Sequence, residues 1–160
     1  MTRLSYATFG AMAFAMTAFP AFAGDPAAGE SAFTSQCQNC HNVTNEAGEV
    51  LAGRPNMRTG PNLYGVIGRQ AGTIEGFRYG ASLVDAGEAG LVWNEDDLVP
   101  YLLDPNTFLR ETLDERRARS QMSFRVRDED TARDIIAFLT QFSEVEDGDA
   151  DEEGTEGSEG

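Results

Sequence analysis

The chain has no lysine. Its twelve basic residues are all arginines and face 27 acids, leaving a formal net charge of −15 over 160 residues. A chain this acidic is not built to bind nucleic acid. Histidine occurs once and cysteine twice. A structural zinc site needs four nitrogen or sulfur ligands, so one here would have to recruit carboxylates. There is no alternating apolar–polar run of useful length for a strand, and no internal repeat. Beyond the first 23 residues no apolar stretch could cross a bilayer.

The scarce residues fall together. Cys37-Gln38-Asn39-Cys40-His41 reads C-x-x-C-H, the attachment signature of a c-type haem. Offsets of three and four residues lie on one face of a helix. Two thiols one turn apart can therefore bond the two vinyl groups of a porphyrin, and the next imidazole then points at the iron. A dithiol redox motif is the plainer alternative, but it should follow a buried strand, and no apolar β-branched run precedes Cys37.

The two ends differ from the middle. Arg3, the mostly apolar run Leu4 to Phe19 and the A-x-A triplet Ala21-Phe22-Ala23 read as a secretory leader spanning 1–23. Cleavage would leave Gly24 first and places the protein outside the cytoplasm, in a bacterial periplasm. There the cysteines are used by thioethers, not by a disulfide. From Glu144 to Gly160 the chain carries nine carboxylates, no base and no apolar face, and is expected to be a disordered, solvated tail. Residues 24–143 hold 18 acids against 11 arginines, a balance of −7, and form the single expected domain.

Helix signals appear in three places. Asp25 can cap a short helix with Pro26 at its first position, running toward the cysteines. Asn94 caps a second, with Glu95, Asp96 and Asp97 in the first turn and an end near Asp104-Pro105. Asp128-Glu129-Asp130 opens a third, with Ile135, Ile136, Phe138, Leu139 and Phe142 as its apolar face. Between them the chain is rich in Gly, Pro and Asn. The fold class is all-α, with three to five helices and long loops. Loops of that length argue against a compact domain unless they wrap a large apolar ligand; one covalent haem c would be that ligand.

If His41 is one axial ligand, no second histidine remains. The strongest remaining choice is a methionine thioether, since His/Met ligation marks cytochromes c of raised potential. Met1, Met12 and Met16 fall in the leader, leaving Met57 and Met122. Met57 reads more simply as a loop methionine covering apolar surface. Met122 follows a long loop able to cross the opposite face of the porphyrin, and is the favoured candidate.

Several further motifs follow in order: Thr59-Gly60-Pro61-Asn62-Leu63-Tyr64-Gly65, Ile67-Gly68-Arg69, Gly76-Phe77-Arg78-Tyr79, Val92-Trp93, Tyr101-Leu102-Leu103-Asp104-Pro105 and Met122-Ser123-Phe124. With C-x-x-C-H they make residues 25–142 resemble the class I cytochromes c, and among them the larger bacterial cytochrome c2 or c-550 type. The resemblance implies the class I cytochrome c fold wrapped around the haem. It implies that Pro61 offers its carbonyl to His41 Nδ1, and that Tyr79, Trp93 and Ser120 hydrogen-bond haem propionates with Arg69 nearby. Tyr101 would reach toward the Met122 sulfur, and Gly29 and Phe33 would cross the last helix near Ile135 and Phe138. The segments 41–61 and 105–122 are longer than in mitochondrial relatives. They blur the register around Ser82 and Leu83, to which no role is carried over.

An iron held by His41 and Met122 has no vacant position, so the expected function is electron transfer and not enzymatic catalysis. A peroxidase or gas sensor would need an open distal site, and a dithiol oxidoreductase would carry no haem. By resemblance, electrons would come from a cytochrome bc1 complex. They would go to a photosynthetic reaction centre, a terminal oxidase or a denitrification reductase. Six of the eleven arginines beyond the leader, Arg110, Arg116, Arg117, Arg119, Arg125 and Arg127, bracket Met122. Such a positive face on an acidic carrier, expected to be a monomer, would steer it toward acidic partners.

Overall fold

The computed structural model describes residues 24–143; the leader and the acidic tail lie outside the described residues. Five α-helices and one hairpin form in chain order: α1 Pro26–Ala32, β1 Asn42–Thr44, β2 Val50–Gly53, α2 Ala81–Glu88, α3 Glu95–Leu103, α4 Pro105–Thr112 and α5 Glu129–Thr140. None of the described helices is long and apolar enough to cross a membrane.

Three helices start where the polar caps stand. The Asp25 carboxylate accepts the N–H of Ala27 at 2.9 Å, with Pro26 at the first helical position. Asn94 Oδ1 accepts from Asp97 N at 2.9 Å, and Asp128 Oδ1 from Thr131 N at 2.8 Å. Each cap satisfies one of the N–H groups that a first turn leaves without a partner.

The chain of α1 and the last helix build the main core. Phe33 is fully buried, Ile135 nearly so, and the rings of Phe33 and Phe138 meet at 5.5 Å. The approach is so close that a Cβ on Gly29 would stand 1.9 Å from the Asp134 carbonyl oxygen, so only glycine fits. The Asp25 N–H closes the crossing by donating to Asp134 Oδ1 at 2.7 Å. A second cluster stacks Trp93, Tyr101 and Phe108, with ring centroids 4.8 to 5.9 Å apart, tying α3 to α4.

Two features exceed the sequence expectation. The hairpin pairs Asn42 with Gly53 and Val43 with Ala52, then bulges between Val43 and Thr44. Its strands have three and four residues, too short to display a period of two. Helices α2 and α4 also escaped notice as separate elements. Gly80 offers α2 no capping side chain. Asp104, read as a helix end, is also a helix start: it closes α3 and its carboxylate accepts from Thr107 N at 3.1 Å in α4.

Candidate cofactor site

After Ala32 the helix loosens into a π-helical turn, Phe33–Cys37, with Gln38 N donating to the Phe33 carbonyl at 3.0 Å. Cys40 N and His41 N both donate to the Cys37 carbonyl at 3.0 Å. This closed turn fixes the three residues side by side. Both thiols are half-buried and unbridged. Burial, with a smaller contribution from Cys40, pushes the Cys37 thiol up to about 11. It is thus protonated at neutral pH, unlike the thiolate that dithiol exchange needs.

His41 is held from three sides. Its Nδ1 lies 2.9 Å from the Pro61 carbonyl oxygen. A carbonyl only accepts, so Nδ1 carries the proton and the lone pair of Nε2 stays free for a ligand bond. Burial lowers the imidazole pKa and the Pro61 hydrogen bond partly opposes this, so the ring is neutral. Gly60 lies against the ring, where a Cβ would stand 2.4 Å from Cε1, and its N–H donates to the Cys40 carbonyl at 2.8 Å. Asn62 staples the same loop to β1: its Oδ1 accepts from Thr44 N at 2.9 Å and its Nδ2 donates to the Thr44 carbonyl at 2.7 Å.

The loop that carries Met122 is pinned by side chains from three helices. Ser82 Oγ of α2 accepts the N–H of Arg119 at 3.1 Å. Asn106 Oδ1 of α4 accepts from Ser120 N at 2.9 Å. The Tyr101 hydroxyl of α3 pairs with Ser120 Oγ at 3.1 Å, and that oxygen accepts the Met122 N–H at 3.0 Å. Met122 itself is half-buried against the core. Tyr101 therefore touches Ser120, two residues short of the sulfur. Ser82 and Asn106 were not read as site residues; isolated polar side chains give no sequence signal for a long-range backbone bond. Gly60 and Asn62 stood in a quoted motif without a role.

The remaining candidates sit around the second aromatic cluster. Trp93 is buried, and its backbone N–H donates to the Arg69 carbonyl at 2.9 Å. Arg69 Nη1 and Nη2 donate to the carbonyls of Tyr64 at 2.6 Å and Asn62 at 3.2 Å. Tyr79 stands near Arg69; burial raises the phenol pKa, while the guanidinium and a backbone hydrogen bond from Ile74 pull it down. Met57 lines an open cavity of about 690 Å³ with Gly60, Pro61, Phe77, Arg78 and Gln121, and neither His41 nor Met122 borders it.

Five of the six arginines around Met122 are exposed, but Arg110 is half-buried with its Nε out of solvent and unpartnered among the described residues. Arg125 pairs with Asp104 at 3.1 Å. Arg116, Arg117, Arg119 and Arg127 have no carboxylate within 4.0 Å among the described residues.

This donor set fits a covalently attached haem. It offers two unbridged thiols, a neutral imidazole with Nε2 free, a thioether on a pinned loop and the buried ring of Trp93. It does not suit a multi-ligand ion: among the described residues no group of three His, Cys, Asp or Glu side chains is arranged to hold a metal ion.

No protein-family model matches the chain. Individual relatives do. It is 55% identical over 116 residues to a cytochrome c2 of Rhodovulum adriaticum, covering 72% of this chain and 90% of the relative. It is 50% identical over 133 residues to a cytochrome c-551 of Roseobacter denitrificans, covering 82% and 91%. Among solved structures, cytochrome c2 from Rhodobacter sphaeroides superposes with a TM-score of 0.72 at 45% identity, over 75% of this chain and 97% of that one. Ferric cytochrome c-550 from Paracoccus versutus superposes at 0.69 with 38% identity, over 75% and 98%.

Proposed function

The chain belongs to the cytochrome c2 family of class I cytochromes c, electron carriers with one covalently bound haem c and no enzymatic activity, and we propose that it is a periplasmic one-electron shuttle whose iron is held by His41 and Met122. Cys37 and Cys40 supply the two thioethers. When bound, the haem supplies a single iron that cycles between ferrous and ferric states.

The rest is the work of the chain. Pro61 fixes the imidazole tautomer and aims Nε2, and Gly60 lets backbone pack against the ring so that it cannot turn. Ser120 ties the Met122 backbone to Tyr101, so the thioether is positioned before any electron moves. Two pre-set ligands leave no vacant position and require little movement on a change of charge. The observation that carries this reading is the 2.9 Å contact of His41 Nδ1 with Pro61, beside two unbridged cysteines. Trp93, Tyr79 and Arg69 are read as the groups that receive propionates.

The exposed arginines at 116, 117, 119, 125 and 127 are read as the docking face for acidic partners. By family these are a cytochrome bc1 complex as donor, with a reaction centre, terminal oxidase or denitrification reductase as acceptor. Arg110 contributes least, because its side chain is turned into the protein.

The test is a pair of variants in the mature holoprotein. Met122→Ala should abolish the sulfur-to-iron charge-transfer band and lower the reduction potential by more than about 0.1 V, a fraction of the roughly 0.8 V that axial ligands span. Met57→Ala should leave both as they are. The reverse pattern would reassign the ligand.

A further inference from the structure

The tail and the arginine face are the two strongest opposite charges in the sequence, and the fold sets the distance between them. Residues 144–160 carry nine carboxylates and no base. They leave the described structure at Ser143, whose position is fixed: its Oγ accepts from Ile67 N at 3.1 Å, and the Phe142 carbonyl accepts from Gly65 N at 2.9 Å. Thr140, one turn earlier, reaches Glu95 at the start of α3.

That exit is an acidic place. The groove beside Ser143 is lined by Glu46 and Glu95, and Asp96 and Asp97 follow in the first turn of α3. Arg69 is the one base among the groove-lining residues, and both its terminal nitrogens already donate to carbonyls. A polyanion leaving Ser143 is therefore repelled from its own surroundings.

The far end of α3 adjoins the arginine-bearing segment. Arg125 pairs with Asp104 just past the helix, and Val126 N donates to the Leu102 carbonyl at 2.9 Å. Nine residues of α-helix span about 13 Å. Seventeen residues of extended chain span up to about 56 Å. The tail thus reaches the arginine face several times over, and a tethered segment acts there at an effective concentration in the millimolar range. Between residues 110 and 127 six arginines outweigh three acids, and four of the exposed guanidinium groups have no carboxylate partner among the described residues.

We infer that the acidic tail folds back along α3 and occupies the arginine face around Met122, competing within the molecule against acidic redox partners. This rests on the reading of that face as the docking face. The tail is then a built-in competitor that weakens as salt rises. Added salt releases the tail as it screens the partner, so association in the full chain varies less with ionic strength than the arginines alone would dictate.

The experiment uses the full-length mature holoprotein in its ferrous form. A nitroxide on Ser158→Cys reads contact by broadening backbone amide signals. Broadening centred on residues 116–127 and lost in 0.5 M salt (Debye length roughly 4 Å) is expected. Broadening spread evenly, or centred on 46–49 and 95–97, overturns the inference. The second readout is the association rate with purified cytochrome bc1 complex. Changing the nine tail carboxylates between Glu144 and Glu159 to amides, six Glu to Gln and three Asp to Asn, should raise that rate at least about threefold when the Debye length is about 30 Å and have little effect when it is about 8 Å. It should leave the optical spectrum and potential unchanged. In this tail-neutral protein, Arg117→Glu with Arg119→Glu should slow association. If that pair slows association but neutralising the tail changes neither rate nor broadening, the tail inference fails and the docking face stands. If the pair has no effect on the rate, the docking face itself fails and the competition with it.

Discussion

The side of the molecule built by α1 and α5 and the side built by residues 113–127 hold their parts in opposite ways. At the α1–α5 crossing, backbone meets backbone over Gly29 and fully buried aromatic rings fill the space beneath. Along the Met122 loop only Ala118 and Val126 are buried among residues 114–127, and single side-chain hydrogen bonds from Ser82, Tyr101 and Asn106 do the holding. Dense apolar packing gives stability that is insensitive to the redox centre. A loop held by a few polar contacts is weaker, but each contact sets the position of Met122, the proposed ligand. Stability and redox tuning are therefore expected to respond to different residues.

The largest effect should come from the crossing. Gly29→Ala places a methyl group where the Asp134 carbonyl already stands, so the helices must separate. A loss of more than about 3 kcal/mol is expected, at the upper end of overpacking costs. Denaturant unfolding followed by Trp93 fluorescence would measure it. The potential of the folded fraction should barely move; a large shift would break the comparison.

Ser120→Ala probes the other side. It removes the acceptor for the Met122 N–H and leaves the buried Tyr101 hydroxyl without its partner. The cost should be about 1–3 kcal/mol. Its signature should be local: the charge-transfer band should fade on warming well before global unfolding. Loss of band and fold together would mean that the loop has no separate stability.

The smallest effect concerns acid. The Asp128 carboxylate is held below its ordinary value of 3.8, first by the Thr131 backbone N–H and then by the Thr131 hydroxyl, with desolvation opposing. A depressed value means that its contribution is complete above pH 3.8 and disappears as pH falls through the folded-state value. Asp128→Asn keeps a capping oxygen but does not titrate. The variant should lose stability less steeply than the parent below that pH. An identical slope would remove Asp128 from the account of α5.

What could be read in the sequence follows the same divide. Asp25, Asn94 and Asp128 announced three helices, because a cap is a local event between residues two or three apart. The Cys37-to-His41 motif announced the cofactor for the same reason. The hairpin, α2 and α4 were not legible: the strands are too short to show a period, α2 has no capping side chain, and Asp104-Pro105, which opens α4, reads equally as the end of α3. The contacts of Ser82 and Asn106 with the Met122 loop span 37 and 14 residues and depend on the whole fold. Met57 and Met122 could not be separated by spacing alone. The structure places Met57 on an open cavity beside Phe77, and Met122 on the loop tied to Tyr101.

The central claim is an iron with both axial positions filled from within the chain. Exposing the ferrous holoprotein to carbon monoxide at neutral pH, and recording its optical spectrum, tests this most directly. The account predicts a spectrum unchanged by the gas. Ready, stoichiometric uptake would show a vacant position and contradict it.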